Sequence, residues 1–536
     1  MERLPLTDLV DLMKGNQTTN KWDVVVSYDE DKINDLLQAD STKLEDILQI
    51  EPFTKEVDFW IIVAEGTFDL QLKNPRLQFL AGTTQVALVC ELTGTYEFPT
   101  VGKPKEDIPA GTQLQLIVSL FNCAGQRIES NGRTTFVPDA KNGIIEGTPK
   151  DYTIQLDPAN GRGNGLCLVF RDVEAKVIST DTTIKTLSAP IERGIADHFA
   201  DAKQIYYYLT GVSKYTPSSA NQVLEPVAFN FSITPPDNDK RIPGVLTTWI
   251  SVKGGEGGGQ KPSGQNPLYF RPDGDTQCPI PKGSSASVII SSYTMANCFF
   301  IPNLSRSFKN VKQKDNAKEL SFTGDMQAEN IYVETLDNKV KVQNWPAIWE
   351  YSKCEGVDLP VDTPPTDITV SQDVVTASSD SVTVSFTSNS KTSHWSYYKD
   401  AGVAGANPTL ASGNVTLTFT WNAVGSWSGG TAAHPNLLQL DFKGDDEYKT
   451  IQTADKPTFW LSWVGGLNYP SFYNNIRAPK PNIDLSMNAL DYFLTTNVFF
   501  PGKEIFKAHS PIAGADRSTG LAVPRDLILT GDVASD

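Results

Sequence analysis

Trp22-Asp23-Val24-Val25-Val26-Ser27-Tyr28-Asp29-Glu30-Asp31-Lys32-Ile33-Asn34-Asp35-Leu36-Leu37-Gln38 carries two periodicities in succession. Trp22, Val24 and Val26 alternate with Asp23 and Val25, and the β-branched content predicts a strand. Ser27 stands three residues before Glu30, the spacing of a capping box in which hydroxyl and carboxylate satisfy each other's backbone N–H. Asp29, Glu30 and Asp31 fall in the first turn, where the helix dipole favours negative charge. Ile33, Leu36 and Leu37 then form one apolar stripe at helical spacing. The chain therefore opens on a strand, a capped turn and a short helix with one buried face. By its chemistry alone this is an ordinary strand–helix unit.

Downstream, Leu44, Ile47 and Leu48 predict a second short helix with Asp40 or Ser41 as its N-cap. Strand-like segments follow at Asp58 to Ala64, Thr67 to Leu72, Thr84 to Phe98, Thr112 to Asn122, Tyr152 to Leu156 and Leu166 to Ile178. Gly, Pro, Asn and Asp clusters separate them. Thr84 to Phe98 is far longer than the usual strand of about five or six residues. Long antiparallel strands belong to curled sheets, which need something apolar along the concave face.

The next segment supplies it. Ser188 can cap a helix with Pro190 in its first turn, where proline is tolerated. Ile191, Ile195, His198, Phe199, Ala202 and Ile205 recur at helical spacing, which predicts a helix from Ser188 to about Tyr208. Roughly eighteen helical residues span about 27 Å at 1.5 Å each, enough to lie along a long curled sheet. His198 reads as a packed neutral imidazole, since no other His or Cys is near in sequence.

Beyond it, Leu224 to Phe231 is extended, Val245 to Val252 is a strand, and Gly254 to Gln265 is a flexible Gly-rich loop without a phosphate-binding pattern. Gly356 to Asp367, with three prolines, is the clearest linker. Alternation in Ser381 to Ser388 and Asn414 to Trp421 predicts antiparallel sheet with one wet face. The expected organisation is a leader at 1–19, a first unit at 20–212, a second sheet unit at 213–356 interleaved with it, and a β-rich part at 357–536.

Composition limits function. The 536 residues carry 46 Lys and Arg against 63 Asp and Glu, a net charge of −17. That balance argues against nonspecific nucleic-acid binding and against adhesion to anionic membranes. The N-terminus lacks the pattern of a signal peptide, and no apolar run is long enough to span a bilayer. The expectation is a soluble protein made in the cytoplasm, leaving the cell, if it does, by a non-classical route. Cys90, Cys123, Cys167, Cys278, Cys298 and Cys354 are scattered without a C-x-x-C pair, so reduced thiols are expected.

Catalytic patterns are missing. His198, His394, His434 and His509 have no metal-ligand neighbours at short spacing. Gly425-Ser426-Trp427-Ser428-Gly429 puts Trp where a nucleophile elbow needs Ser. Asp273-Gly274-Asp275 lacks the remaining ligands of a calcium loop and reads as a surface turn. Trp395 and Trp427 could stack on sugars, although tryptophan is more often in a core. No metal, cofactor or catalytic residue is expected.

Four pieces together resemble one family: the opening Trp22 to Leu37, Leu224 to Phe231, Ala286 to Ser291, and Asn497-Val498-Phe499-Phe500-Pro501-Gly502. They resemble the TULIP-fold (tubular lipid-binding) accessory proteins encoded beside botulinum-type neurotoxin genes, the OrfX and 47-kDa protein group, and their bacterial relatives. The resemblance implies an elongated α+β fold, mostly antiparallel β, whose curved sheets wrap around long helices. It further implies a non-enzymatic accessory or insecticidal-toxin-associated protein that binds a lipid, an acyl chain or a partner protein. Its hydrophobic face would comprise Ile33, Leu36, Leu37, Ile191, Ile195, Phe199 and Ile205. These residues would face the sheet whether or not a lipid lies between, so a filled core stays open as the alternative. A carbohydrate-recognising β-rich surface binder is the second function class, resting on the Trp-rich C-terminal part.

Overall fold

The computed structural model describes residues 3–39, 44, 47–59, 62–80, 85–130, 133–138, 154–155, 163–201, 206–211, 224–234, 243–257, 259, 278–314, 320–326, 331–332, 358–359, 366–369, 381–387, 391–398, 409–431, 434–442, 447–454, 483–496, 505–509 and 520–534. Two compact units emerge. One is Met1–Cys298 with Ser428–Gln439 and Ala489–Asp536; the other is Phe299–Trp427 with Leu440–Asn488.

The first unit contains α1 (Leu6–Met13), β1 (Val24–Asp29), α2 (Glu30–Ala39), β2 (Phe53–Asp58), β3 (Val63–Phe79), β4 (Gln85–Phe98), β5 (Lys103–Asp107), β6 (Gln113–Ser130) and β7 (Arg133–Pro138). It continues with β8 (Ile154–Gln155), β9 (Gly163–Ile178), α3 (Thr182–Asp201), β10 (Tyr206–Gly211), β11 (Pro226–Thr234), β12 (Val245–Val252) and β13 (Ala286–Ile290).

One sheet is built around β1, which pairs antiparallel with β12 on one side and β13 on the other. Leu527–Val533 continues the sheet beyond β13, and β11 and β8 continue it beyond β12. Every residue of β1, β12 and β13 is buried. The expected alternation fails here because this strand is covered on both faces, as a near-continuous Val run permits. Its polar groups are satisfied locally. The Ser27 and Thr247 hydroxyls lie 3.1 Å apart, and Thr248 Oγ1 donates to Val26 O.

That pairing corrects the expected cap of α2. Ser27 belongs to β1, so its hydroxyl faces a neighbouring strand and no capping box forms. Asp29 caps instead, its Oδ1 accepting from the N–H groups of Asp31 (3.0 Å) and Lys32 (3.3 Å).

The second sheet of this unit runs in the order β10-β9-β6-β4-β3-β2, with β5 on β4 and β7 on β6. Its strands are long: 17 residues in β3, 14 in β4, 18 in β6 and 16 in β9. Register shifts between Lys73 and Arg76 and between Ile117 and Ser119 bend it, as bulges do. One face is wet; the other buries Phe68, Leu70, Leu88, Cys90, Leu92, Phe98, Leu114 and Leu116.

Against the expectation of long helices, among the described residues only α3 has real length, 20 residues beside 8 in α1 and 10 in α2. It also starts earlier and ends sooner than Ser188 to Tyr208. Asp181 caps it, accepting from Ile184 N–H at 3.0 Å. Ser188 and Pro190 sit inside the helix, with Ser188 Oγ donating to Lys185 O. Tyr206-Tyr207-Tyr208 is strand, paired with β9, where aromatic residues fit an edge better than a helix.

In the second unit Phe308–Gln313, Ser321–Met326 and Thr366–Thr369 form one small antiparallel sheet. Asp358–Leu359 pairs with Ile331–Tyr332, so both described parts of the expected linker are in β pairing. Within this unit Ser381–Thr387, Lys391–Tyr398 and Glu447–Ala454 pair along Thr409–Thr431, matching the predicted sheet. Trp427 is fully buried and stacks on Phe299 at 5.9 Å, which removes it as a sugar platform. The side chain of Trp395, Ile205, Cys354 and Asp273-Gly274-Asp275 lie outside the described residues.

Candidate functional site: the apolar seam under α3

Helix α3 packs on β9 and on β2, which stand near opposite ends of the curled sheet. The curl therefore brings both borders to one helix. Ile184, Leu187, Ile191 and Ile195 are 0% exposed and Phe199 1%, all within the interior. Phe199 meets Phe170 of β9 with ring centroids 5.5 Å apart. On the other border Phe53 of β2 lies against the backbone of Gly194 and stacks on Phe68 at 5.4 Å.

Polar groups hold the seam from outside. Glu192 Oε1 accepts from Val177 N–H at 2.8 Å on the β9 side. Lys55 Nζ lies 2.5 Å from Asp197 Oδ2 on the β2 side. His198 is half-buried, edge-on to Phe199 at 5.3 Å. Among the described residues no group of three His, Cys, Asp or Glu side chains could hold a metal.

The other expected residues are also buried, in a different place. Ile33, Leu36 and Leu37 turn inward as α2 packs on β3 and β1. Asn34 fixes that helix to Leu77, accepting from its N–H at 2.7 Å and donating to its carbonyl at 3.0 Å. Phe53, under α3, pairs with Phe68, nine residues from Leu77 along β3 (77 − 68). That is about 30 Å of strand. The two predicted stripes thus serve separate parts of the sheet.

Sequence reasoning missed Ile184, Leu187, Gly194 and Phe53. Extending the stripe backward from Ile191 to Leu187 and Ile184, with Asp181 as cap, would have found the first two. Phe53 carries no such signal, because its partner is 141 residues away (194 − 53).

Two buried carboxylates brace the β1 sheet. Asp23 accepts from Val252 N–H, Glu256 N–H and Thr294 Oγ1 at 2.8 to 2.9 Å. Asp526 accepts from Thr18 and Ser292 N–H at 2.7 Å. Both are engaged wholly with the protein's own donors, which is structural work. Burial pushes the Cys90 thiol up to about 12 and the half-buried Cys298 thiol up to about 11. Both are weak nucleophiles in consequence. Cys278 is likewise a free, buried thiol.

The architecture is mostly antiparallel β with curled sheets and few helices. Similar solved structures include P47 from Clostridium botulinum A2, at 11% identity and a TM-score of 0.46 over 97% of this chain and 99% of that one. P47 of Clostridium botulinum E1 follows at 11% identity and 0.43, over 97% and 100%. A lipopolysaccharide binding protein gives 11% identity and 0.27, over 96% and 99%. At TM-scores below 0.5 these likenesses leave family membership undefined. No protein-family model and no curated protein matches the chain. No helix of the described residues is long and apolar enough to cross a membrane.

Proposed function

We propose that this chain is a non-enzymatic binding protein that takes up an acyl chain between α3 and the curled sheet. One observation carries the reading: a single 20-residue helix spans both borders of the sheet through an inner face of apolar side chains alone. Its hold on β2 is the weaker of the two, since β2 is an edge strand with mostly exposed or half-exposed residues. Opening there gives access to the interior without breaking a sheet ladder. The resemblance of the opening strand–helix unit to tubular lipid-binding proteins supports the same reading. An accessory role beside a toxin, and an insecticidal one, rest on that resemblance alone.

A second reading has its own observation. The residues of α3 that face the sheet are at most 1% exposed, the packing of a filled core. In that case α3 is a scaffold and binding lies on the surface. Native mass spectrometry of gently purified protein separates the two. A bound mass of acyl-lipid size supports the seam; a bare chain that also fails to bind cis-parinaric acid supports the scaffold.

A further inference from the structure

From Thr276 to Lys314 the chain carries no Asp or Glu, although 63 of its 536 residues are acidic. Arg306, Lys309, Lys312 and Lys314 close that run. Arg306 is engaged locally, its guanidinium donating to Ser486 O and Asn488 Oδ1, each at 2.9 Å. The three lysines lie on or just beyond the strand Phe308–Gln313, and all three are exposed.

Register gathers them on one face. Lys309 pairs with Asp325 and Lys312 with Thr323, so a bulge between the lysines cancels their odd spacing. The backbone N–H of Lys314 donates to Ser321 O at 2.9 Å, which carries the same face one step further. The lysines thus stand opposite Asp325, Thr323 and Ser321, alternate positions of one strand and about 7 Å apart. Phe308 and Phe322 take the other face and are buried, with Phe322 against Phe300 at 5.4 Å.

Asn310, within the bulge, has φ 53° and donates from Nδ2 to Asp325 Oδ2 at 2.5 Å. The carboxylate opposite Lys309 is therefore held by an amide of the bulge. Among the described residues no ion pair engages Lys309 or Lys312. Asp367 stands across Thr323, one strand further in. Phe308–Gln313 is a border strand of the described sheet, so the lysines line its rim and these acidic positions lie behind them. Lysine on a border strand also deters pairing between sheets, and so does a bulge. Nothing in that role requires three lysines in register on one face.

Charge and breadth select the partner. Nucleic acid or an anionic membrane presents a broad negative surface, which a chain of net charge −17 repels as a whole. An extended acidic peptide is narrow enough to meet the row alone, and its alternate side chains repeat at the same interval of about 7 Å. We propose that Lys309, Lys312 and Lys314 bind an extended acidic segment of a partner protein, its alternate carboxylates resting on the three ammonium groups. Ion pairs this exposed are individually weak and sensitive to salt, so the contact is transient and the charge pattern of the segment sets its specificity. This does not depend on an acyl chain entering the α3 seam.

Fluorescence anisotropy of the full-length protein with a labelled peptide of alternating glutamate and threonine tests it. A peptide of the same composition with its glutamates in one block, and labelled heparin, are run beside it. The variants are Lys309→Gln with Lys312→Gln, Lys309→Glu with Lys312→Glu, and Lys32→Gln as a control at an exposed lysine of the other unit. Wild type and control should bind the alternating peptide at low salt, and about tenfold more weakly as salt rises from about 0.01 to 0.15 M. The block peptide should bind several-fold more weakly than the alternating one. The neutral pair should lose about tenfold in affinity and the reversed pair all measurable binding, with melting temperatures matching wild type. A wild type that ignores the alternating peptide at low salt overturns the proposal, and so does a neutral pair that binds it as well as wild type. Equal affinity for the two peptides would remove the extended segment as the ligand. Binding to heparin with neither peptide bound would assign the row to a sulfated polysaccharide instead.

Discussion

Gly194 of α3 lies so close to Phe53 of β2 that a Cβ built on the glycine would sit 2.0 Å from Cε2 of the ring. Two further ring atoms would be at 2.5 and 2.6 Å. The glycine is the notch that lets the helix reach the border strand. Gly194→Ala should therefore destabilise the protein by about 1–3 kcal/mol through overpacking, despite alanine's better helix propensity. Phe53→Leu in the alanine background should recover about half of that loss, because the two sites share one contact. Thermal melting of the four proteins checks the coupling; strict additivity would show that the notch is not what limits the approach.

The Lys55–Asp197 pair latches the same border at the surface. Asp197 is more than half exposed, so Asp197→Ala should change stability by less than about 1 kcal/mol. If ligand enters by release of α3 from β2, the same change should speed uptake of cis-parinaric acid in stopped-flow fluorescence. An unchanged uptake rate would place the entrance elsewhere.

Asn34 tests the seating of α2. Its side chain satisfies both backbone groups of Leu77 and also donates to Glu30 O. Asn34→Leu fills the space but leaves buried Leu77 N–H and C=O without partners, at about 1–3 kcal/mol for each group. The loss should total on the order of 2–4 kcal/mol, with faster hydrogen exchange in the segment around Leu77. A variant as stable as wild type would mean the bonds are dispensable.

Glu30 should make stability depend on pH. Burial, with the Asp31 and Asp29 carboxylates adding and the Arg76 guanidinium opposing, raises its pKa to about 7. In the unfolded chain it is ordinary, about 4.3. Because the folded value is the higher one, its contribution is fully present below about pH 4.3 and is lost as pH rises through about 7. Glu30→Gln should match wild type near pH 4 and be the more stable above pH 7, by on the order of 2 kcal/mol. A difference that stays flat across this range would contradict the raised value.

Local periodicity made the strand–helix opening legible, although the strand expected over Trp22 to Val26 runs on to Asp29 and the helix expected to start after Ser27 starts at Glu30. Ser27 misled because a capping motif and a strand residue look alike until the neighbouring strand is known. Strand length was legible at β4, whose observed start is one residue from the expected Thr84. The position of β1 was not, since its partners Val245–Val252 and Ala286–Ile290 are more than two hundred residues away. For the seam, Ile191, Ile195 and Phe199 were readable from their spacing. The notch at Gly194 was not, because a glycine within a helix pattern does not say what it makes room for.

Ile195 lies at the centre of the α3 inner face, and Ile195→Trp addresses the central claim most directly. Titration of wild type and variant with cis-parinaric acid, alongside their melting curves, is the measurement. If α3 and the sheet admit an acyl chain, wild type should bind the probe, and the variant should lose binding while melting within about 1 kcal/mol of wild type, its indole taking the ligand's place. A wild type that binds no probe, with a variant destabilised by about 1–3 kcal/mol, would contradict the account and leave α3 as part of a filled core.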